Sequence, residues 1–178
     1  MKLFKYNFLS LGVIIEYAST LYKSTSDFHI KTVQEIKSLT KDLRNRGKKI
    51  VLTNGCFDIL HIGHIKYLEE AKSYGDILIV GVNSDKSLKR LKGKSRPINT
   101  EDDRAYILAS LEAVDYVVKF TEDTPINLIK AITPDILVKG GDYEGKYVVG
   151  QDIAKELRLV KFVDGKSTTR IIEKIGRG

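Results

Sequence analysis

The stretch "KKIVLTNGCFDILHIGHIKYLEEAKSYGDILIV", residues 48–80, decides the fold that we predict for this chain. It begins with a short apolar run, typical of a buried strand, and continues through a loop rich in glycine and histidine. A helical segment follows, with Ile65, Leu68 and Ala71 on one face, and a second apolar strand is expected over residues 76–84. The order strand, loop, helix, strand predicts one unit of a parallel sheet.

The same alternation continues on both sides of this unit. Upstream, residues 31–47 have a helical pattern that ends at Gly47. Downstream, Thr100 is an expected helix N-cap, with Asp103 as the acidic residue three positions later. We predict helices at residues 100–112, 124–132, near 149–157 and 168–176, and further strands at 114–120, 135–141 and 158–163. This series predicts an α/β fold with a Rossmann-like, doubly wound, parallel five-stranded sheet.

Length and composition predict a single folded domain. The chain has 178 residues, of which 42% are hydrophobic, enough for one well-buried core. We expect residues 29–178 to form this domain and residues 1–28 to be an N-terminal extension of unknown role. Glu16 interrupts the apolar run near the N-terminus, so a helical extension is favoured over a membrane span or a signal peptide. The single cysteine, Cys56, excludes an internal disulfide and fits a reducing, cytoplasmic location.

The basic charge of the chain predicts an anionic partner. The formal net charge is +7, which would suit a nucleotide, a membrane surface or nucleic acid. Six cations lie between Lys86 and Arg96, and no aromatic residue separates them. Proteins that bind single strands usually interleave such cations with stacking aromatics, so the run argues against them. The alternative that it is a solvated, charged loop stays open.

Polar segments follow each of the five predicted strands. In open α/β sheets, ligands bind beyond the carboxyl ends of the strands. Turns require glycine, asparagine and aspartate in any case, but these segments are also enriched in lysine, arginine, histidine and hydroxyl groups. They comprise residues 53–64, 83–97, 121–125, 139–143 and 164–169. Together they predict an anion-binding edge of the sheet.

The first of these segments contains an unusual phosphate-binding candidate. Neither the glycine-rich dinucleotide fingerprint nor the P-loop pattern follows the first strand; His61-Ile62-Gly63-His64 stands there instead. A helix N-terminus offers unpaired N–H groups and a partial positive charge, and Gly63 would allow an anion to approach closely. Two alternatives stay open: ordinary helix-start histidines, or metal ligands without an evident third partner.

Four motifs in order resemble the HxGH nucleotidyltransferase (cytidylyltransferase-like) family: "TNGCFDILHIGH", "NSDKSLKRLKGKSRPIN", "LVKGGDY" and "DGKSTTRII". The likeness covers about residues 31–175. Within the family, the sequence is most similar to the adenylyltransferase domains of ADP-heptose synthases, which join D-glycero-β-D-manno-heptose 1-phosphate to AMP from ATP. Glycerol-3-phosphate cytidylyltransferases share the HxGH and STT motifs and the "EGK" at residues 144–146, which keeps a CTP-dependent reaction as an alternative.

The resemblance implies site residues at the matching positions. The catalytic residues would be His61, His64 and Lys94. Nucleotide-binding residues would be Thr53, Asn54, Gly55, Phe57, Asp58, Gly63, Asp85, Lys92, Arg96, Arg104, Ser167, Thr168 and Thr169. The acceptor or base pocket would use Lys139, Gly140, Gly141, Asp142 and Tyr143. The resemblance implies Mg²⁺ bound through the phosphates of ATP, with no protein metal ligand.

The chemistry of such a reaction requires positioning and charge neutralisation. An already anionic phosphate oxygen attacks the α-phosphorus, so no serine or cysteine nucleophile and no strong base is required. We therefore predict direct in-line transfer without a covalent enzyme intermediate, and interpret Cys56 as a packing residue.

The expected partners are small-molecule substrates rather than nucleic acid or a membrane. A homodimer or higher homo-oligomer is compatible with a sheet that leaves an apolar edge or helix face exposed. ADP-heptose synthases are often fused to a sugar kinase; we expect a separate kinase to supply the heptose 1-phosphate here. A basic module that only binds nucleotide is the non-enzymatic alternative.

Overall fold

The computed structural model describes residues 25–161 and 167–176. Most of the expected N-terminal extension, residues 1–24, therefore lies outside the described residues, as do residues 162 and 163 of the last predicted strand. The helices are α1 (Thr25–His29), α2 (Val33–Asn45), α3 (Ile62–Ser73), α4 (Asp85–Lys92), α5 (Glu101–Ala109), α6 (Ile126–Ile132) and α7 (Thr168–Ile175). The strands are β1 (Ile30–Lys31), β2 (Ile50–Gly55), β3 (Ile77–Asn83), β4 (Tyr116–Phe120), β5 (Ile136–Gly140) and β6 (Glu156–Val160), and a short 3₁₀ turn, Gly141–Tyr143, follows β5.

All six strands pair in parallel in one open sheet, in the order β1-β4-β3-β2-β5-β6. The predicted α/β, doubly wound class is confirmed. The five predicted strands are all present, and the structure adds a two-residue edge strand, β1, which pairs with β4 through Ile30 and Val117. A two-residue strand leaves no periodic pattern in a sequence, so it could not be predicted.

The strand order creates a switch point between β2 and β5. From β2 the chain moves outward through β3 to β4, and then returns to the other side of β2 to form β5. Val51, Leu52 and Thr53 of β2 pair with Ile136, Leu137 and Val138 of β5. The loops that leave these two neighbouring strands run in opposite directions, which opens a crevice at their carboxyl ends.

Helices cover both faces of the sheet and bury its apolar side chains. On β2, Val51 belongs to one core cluster and Leu52 to the other, as the alternation of a strand requires. One cluster contains Leu68 of α3 and Leu108 of α5, and the other contains Ile36 of α2 together with Leu128, Ile129 and Ile132 of α6. Each fully buried side chain of this size stabilises the fold by about 1.5–3 kcal/mol.

Several predicted helix boundaries follow from capping. Thr32 caps α2 in a reciprocal arrangement with Glu35, and Gly47, with a φ of 73°, follows the C-cap residue Arg46, so the helix stops near Gly47 as predicted. The predicted cap at Thr100 is confirmed, because its hydroxyl accepts a hydrogen bond from the Asp103 backbone N–H at 3.2 Å. None of the helices among the described residues is both long enough and apolar enough to cross a membrane.

The predicted helix near residues 149–157 is wrong. Residues 149–155 form turns, and β6 already begins at Glu156, two residues before the predicted strand. Gly150 has a φ of 87°, and a β-carbon at this position would lie 2.5 Å from the Ile129 side chain. The turns close over α6 through this contact, and pairing of Glu156 with Ile136 in the sheet leaves no length for a helix.

The basic run is not simply a loop. Its first part forms helix α4, whose N-cap is Ser84, and Lys92 is the last residue of that helix. The helix could not be predicted from apolar periodicity, because the segment is highly charged and Leu88 is its only buried apolar residue. Lys94 and Arg96 lie in the following loop, which contains a cis peptide bond before Pro97.

Candidate active site

The two predicted histidines lie together at the start of α3. His61 is the N-cap residue, and the His64 backbone N–H donates to the His61 carbonyl oxygen at 2.8 Å. Their rings stack, with centroids 3.9 Å apart and planes 22° apart. Phe57, held in a left-handed conformation with a φ of 47°, packs its ring 5.4 Å from that of His64. Gly63 lies between the histidines in the first turn, where backbone N–H groups are available to an anion.

His64 is a neutral hydrogen-bonding group in this site. Burial, with a smaller contribution from neighbouring His61, lowers the pKa of His64 to about 4. Its Nδ1 atom is buried and has no hydrogen-bond partner among the described residues. A neutral imidazole has one N–H donor and one acceptor nitrogen, so His64 can donate to a phosphate oxygen without carrying a charge.

Asp58 joins the loop after β2 to the loop that carries the basic residues. Its buried carboxylate accepts hydrogen bonds from Arg96 Nε at 2.5 Å and from the backbone N–H groups of Ile98 at 2.8 Å and Asn99 at 2.9 Å. The Asn99 side chain in turn donates to the Asp58 carbonyl oxygen at 2.6 Å. Asp58 therefore shapes the site by holding two loops together, and Arg96 is engaged in the same contact.

Arg104 holds three segments of the site together from a buried position. Only 1% of this residue is exposed. Its guanidinium donates to the backbone carbonyl oxygens of Asn99 at 3.1 Å, Cys56 at 2.6 Å and Asn83 at 2.8 Å. It also donates to the Asp85 carboxylate at 2.8 Å. Arg104 thus steadies the carboxyl ends of β2 and β3, and Asp85 is oriented by it.

The exposed cations lie around the same loops. Lys92 and Lys94 are both exposed, so their charges are accessible to an anion. Burial raises the pKa of the Cys56 thiol, while the charges of Lys92, Arg104 and Arg96 oppose that rise. These cations therefore act on the loop that follows β2, and Cys56 is not a reactive thiolate at neutral pH.

The start of α7 adjoins the loop after β2. The Thr168 hydroxyl donates to the Ile59 carbonyl oxygen at 3.2 Å, which places the start of α7 beside the loop that leads to His61. The Ser167 hydroxyl caps α7 by accepting from the Arg170 backbone N–H at 3.2 Å. Thr169 is exposed in the first turn. Two helix N-termini, those of α3 and α7, thus belong to one site.

The predicted residues of β2 and β5 meet at the switch point. The Lys139 ammonium donates to the Asn54 side-chain oxygen and lies 5.6 Å from the centroid of the Tyr143 ring. The end of β5 contains Lys139 and Gly140, and the 3₁₀ turn after it contains Gly141, Asp142 and Tyr143. The Asp142 side chain is outside the described residues. The Thr53 hydroxyl is hydrogen-bonded to Tyr67 at 2.6 Å.

Sequence reasoning missed two residues that hold the site together. Asn99 provides both backbone and side-chain contacts to Asp58, and the Tyr67 hydroxyl joins Thr53 to the Val138 carbonyl oxygen at 3.1 Å. No sequence feature marked Tyr67 as a site residue, because its position fits an ordinary helix face. Asn99 could have been suspected, since it lies three residues after Arg96, at the end of the motif "NSDKSLKRLKGKSRPIN".

Comparison with known proteins identifies the family. The cytidylyltransferase-like family model matches residues 52–175 of the chain. This region contains the α3 histidines, the basic helix and loop, the 3₁₀ turn and all of α7.

The similar proteins agree with that match. The bifunctional protein HldE of Aliarcobacter butzleri is 70% identical over 93% of this chain, and that of Sulfurimonas denitrificans is 64% identical over 94%. The chain spans only 35% of the length of each of these relatives. The crystal structure of the lipopolysaccharide core biosynthesis protein from Thermoplasma volcanium GSS1 superposes with a TM-score of 0.54 at 33% identity, covering 67% of this chain and 100% of that one. The chain therefore belongs to the cytidylyltransferase-like family of nucleotidyltransferases.

Proposed function

We propose that this chain transfers AMP from ATP to D-glycero-β-D-manno-heptose 1-phosphate, giving ADP-heptose and pyrophosphate for lipopolysaccharide core synthesis. The observation that carries the reaction class is the stacked His61–His64 pair at the start of α3, where the buried Nδ1 of His64 has no partner among the described residues. The identity to HldE proteins and the likeness to a lipopolysaccharide core biosynthesis protein support the choice of substrate.

The triphosphate would lie across the N-terminus of α3. The backbone N–H group of Gly63, together with the neutral imidazole of His64, would donate to its oxygens. Lys92 and Lys94 would neutralise charge from the opposite loop, because both are exposed on the segment that Asp58 holds against the loop after β2. Ser167, Thr168 and Thr169 would add donors from the start of α7.

The reaction would then be a single displacement. A phosphate oxygen of the sugar attacks the α-phosphorus, a new phosphoanhydride bond forms, and the bond to the β-phosphate breaks so that pyrophosphate leaves. Two anions must approach each other, so the main contribution of the site is to orient them and to offset their repulsion. We infer no covalent enzyme intermediate, because the attacking phosphate oxygen is already anionic and no enzyme nucleophile is required.

Magnesium enters this proposal as part of the nucleotide substrate. Within residues 25–161 and 167–176, no three His, Cys, Asp or Glu side chains form a group that could hold a metal ion. Mg²⁺ bound to the triphosphate would neutralise part of its charge. Because ATP and sugar phosphates are metabolites of the cell interior, we place the reaction in the cytoplasm.

A CTP-dependent transfer to glycerol 3-phosphate is the second candidate. The "EGK" at residues 144–146 favours it, since this stretch resembles the cytidylyltransferases. The two candidates share the phosphate chemistry and differ in the base and the acceptor. A module that only binds nucleotide would use the same helix N-termini without turnover.

Pyrophosphate release in the presence of Mg²⁺ separates these candidates. ATP and CTP are each tested with heptose 1-phosphate and with glycerol 3-phosphate, using wild type and His64→Ala. We expect release only with ATP and the heptose, and a loss of about a hundredfold in His64→Ala, as is typical when a transition-state donor is removed. Release only with CTP and glycerol 3-phosphate would replace the substrate assignment. No release in any of the four mixtures, with ATP binding retained, would favour the binding module.

A further inference from the structure

The Asn54–Lys139 pair lies at the crevice where the sheet changes direction. Thr53 and Val138 form the last pair between β2 and β5, and Asn54 and Lys139 come directly after them. Their side chains meet across the two strands, with the Lys139 ammonium donating to the Asn54 Oδ1 atom. Lys139 is only 7% exposed, whereas Asn54 is half-buried. A switch point is where an open α/β sheet binds its ligand, so this pair lies at the expected ligand position.

The contact fixes which way the Asn54 amide points. An ammonium group can only donate, so the amide oxygen must be the atom that faces Lys139. The Asn54 Nδ2 group, with its two N–H donors, is then directed elsewhere, and it makes no hydrogen bond within the described residues. A donor pair at a ligand crevice suits an atom that only accepts hydrogen bonds, such as a non-bridging oxygen of a phosphoryl group.

The buried charge on Lys139 argues against a purely structural role. Joining β2 to β5 with a desolvated ammonium is costly, and a well-packed apolar side chain would stabilise the same position at least as well. An ammonium that donates to the amide oxygen polarises the amide and strengthens the Nδ2 donors.

We propose that Asn54 Nδ2 donates a hydrogen bond to a non-bridging oxygen of the transferred α-phosphoryl group, and that Lys139 is a positioning residue that orients and polarises Asn54. The inference rests on the proposed nucleotidyl transfer. During that step the acceptor oxygen bonds to the α-phosphorus and pyrophosphate leaves with the electron pair of the broken bond. Asn54 transfers no proton, and its hydrogen bond strengthens as negative charge builds on the α-phosphoryl oxygens.

Sulfur substitution at the α-phosphate tests this contact directly. The Rp and Sp diastereomers of ATPαS each replace one non-bridging oxygen, and the ratio of kcat/KM for ATP to that for each diastereomer is the thio effect. In wild type, we expect a larger thio effect for the diastereomer that places sulfur at the Asn54 contact. In Asn54→Ala, kcat should fall by about a hundredfold, with the KM for ATP changed by less than about threefold. The larger thio effect should then shrink toward that of the other diastereomer.

Lys139 variants separate positioning from simple packing. Lys139→Met keeps most of the length of the buried side chain and removes the charge, and we expect kcat to fall about tenfold. Lys139→Arg, which retains a donor and a charge, should restore part of that loss. The double variant Asn54→Ala/Lys139→Met should be no slower than Asn54→Ala alone, since Lys139 acts through Asn54. Lys130→Met, at an exposed site on α6, is the matched control and should behave as wild type.

Three results would overturn the inference. The first is a thio effect that is unchanged in Asn54→Ala. The second is a loss of kcat in Lys139→Met that simply adds to the loss in Asn54→Ala. The third is a loss of activity in the variants that parallels a fall in thermal stability, with the kcat of the folded fraction unchanged. Wild-type activity is measured first, and the assays use the α-thio analogue of whichever nucleotide it consumes. Active wild type with unaffected variants refutes only this inference, while wild type that is inactive with every nucleotide refutes both it and the proposed function.

Discussion

Replacing Asp58 by asparagine removes one charged contact from the site while keeping the shape of the side chain. The Asp58 Oδ1 atom accepts from the backbone N–H groups of Ile98 and Asn99, and an asparagine oxygen can keep both bonds. Oδ2 accepts from Arg96 Nε at 2.5 Å, and an asparagine Nδ2 group would instead face that donor. The variant therefore loses one charge-assisted bond and leaves Arg96 opposite another donor.

The expected cost follows from the burial of this contact. The Asp58 side chain is 0% exposed and that of Arg96 is 17% exposed, so water cannot fully replace the lost bond. A hydrogen bond to a charged group contributes about 1.5–3 kcal/mol, so we expect the free energy of unfolding to fall by about 2–3 kcal/mol. For a chain of this size, that corresponds to a decrease in Tm of roughly 5–10 °C. The loop that carries Lys94 should loosen as well, raising the KM for ATP about tenfold.

Urea denaturation and pyrophosphate release measure the two effects. Asp123→Asn is the matched control, because Asp123 accepts from Arg90 Nε at 2.8 Å in an exposed pair, and such pairs contribute little to stability. If Asp58→Asn unfolded at the same urea concentration as Asp123→Asn and kept the wild-type KM, the role of Asp58 in joining the two loops would be refuted.

Three further changes test other parts of the site. Arg104→Lys cannot satisfy the four acceptors that the guanidinium contacts, so we expect a loss of about 3 kcal/mol in urea denaturation; a loss below about 0.5 kcal/mol would contradict the geometry. The pKa of His64 is lowered to about 4, so as pH falls from about 6.5 toward 4 the unfolded chain binds a proton that the folded chain does not. Wild type should therefore lose about 1–2 kcal/mol more stability than His64→Gln between pH 7 and pH 5, after allowance for partial exposure, and parallel pH profiles would disprove the assignment. In Gly55→Ala, the new β-carbon would lie 3.0 Å from the Phe57 ring that packs on His64, so kcat/KM should fall about tenfold. In the control Gly176→Ala, the new β-carbon would make only ordinary contacts, the nearest at 3.6 Å from the Ile172 carbonyl oxygen, so this variant should match wild type.

Local periodicity was enough to predict most of the fold. The β2, α3 and β3 elements and the cap at Thr100 could be read from the sequence, because strand alternation and capping are short-range properties. The prediction of a helix near residues 149–157 failed for a long-range reason, since Gly150 packs against Ile129 and Glu156 pairs with Ile136 in the sheet. Nothing local to that segment carries this information.

In the candidate site too, short-range features could be predicted from the sequence and long-range contacts could not. The stacked histidines were predictable as a pair because His61 is the N-cap of α3 and His64 lies in its first turn. The contacts of Asp58 with residues 96–99 were not predictable from spacing, as they join segments about 40 residues apart. The meeting of Asn54 with Lys139 depends on the strand order, and strand order is a property of the whole sheet that no single motif contains.

The most direct test of the proposed reaction is to identify its product. Wild type, His61→Ala and His64→Ala are each incubated with ATP, Mg²⁺ and D-glycero-β-D-manno-heptose 1-phosphate, and the mixture is followed by ³¹P NMR. We expect wild type to convert the monophosphate signal into two coupled diphosphate signals of ADP-heptose with equal formation of pyrophosphate, and each variant to be slower by about a hundredfold. Absence of the coupled signals with wild type, or equal rates in the three proteins, would contradict the proposed reaction.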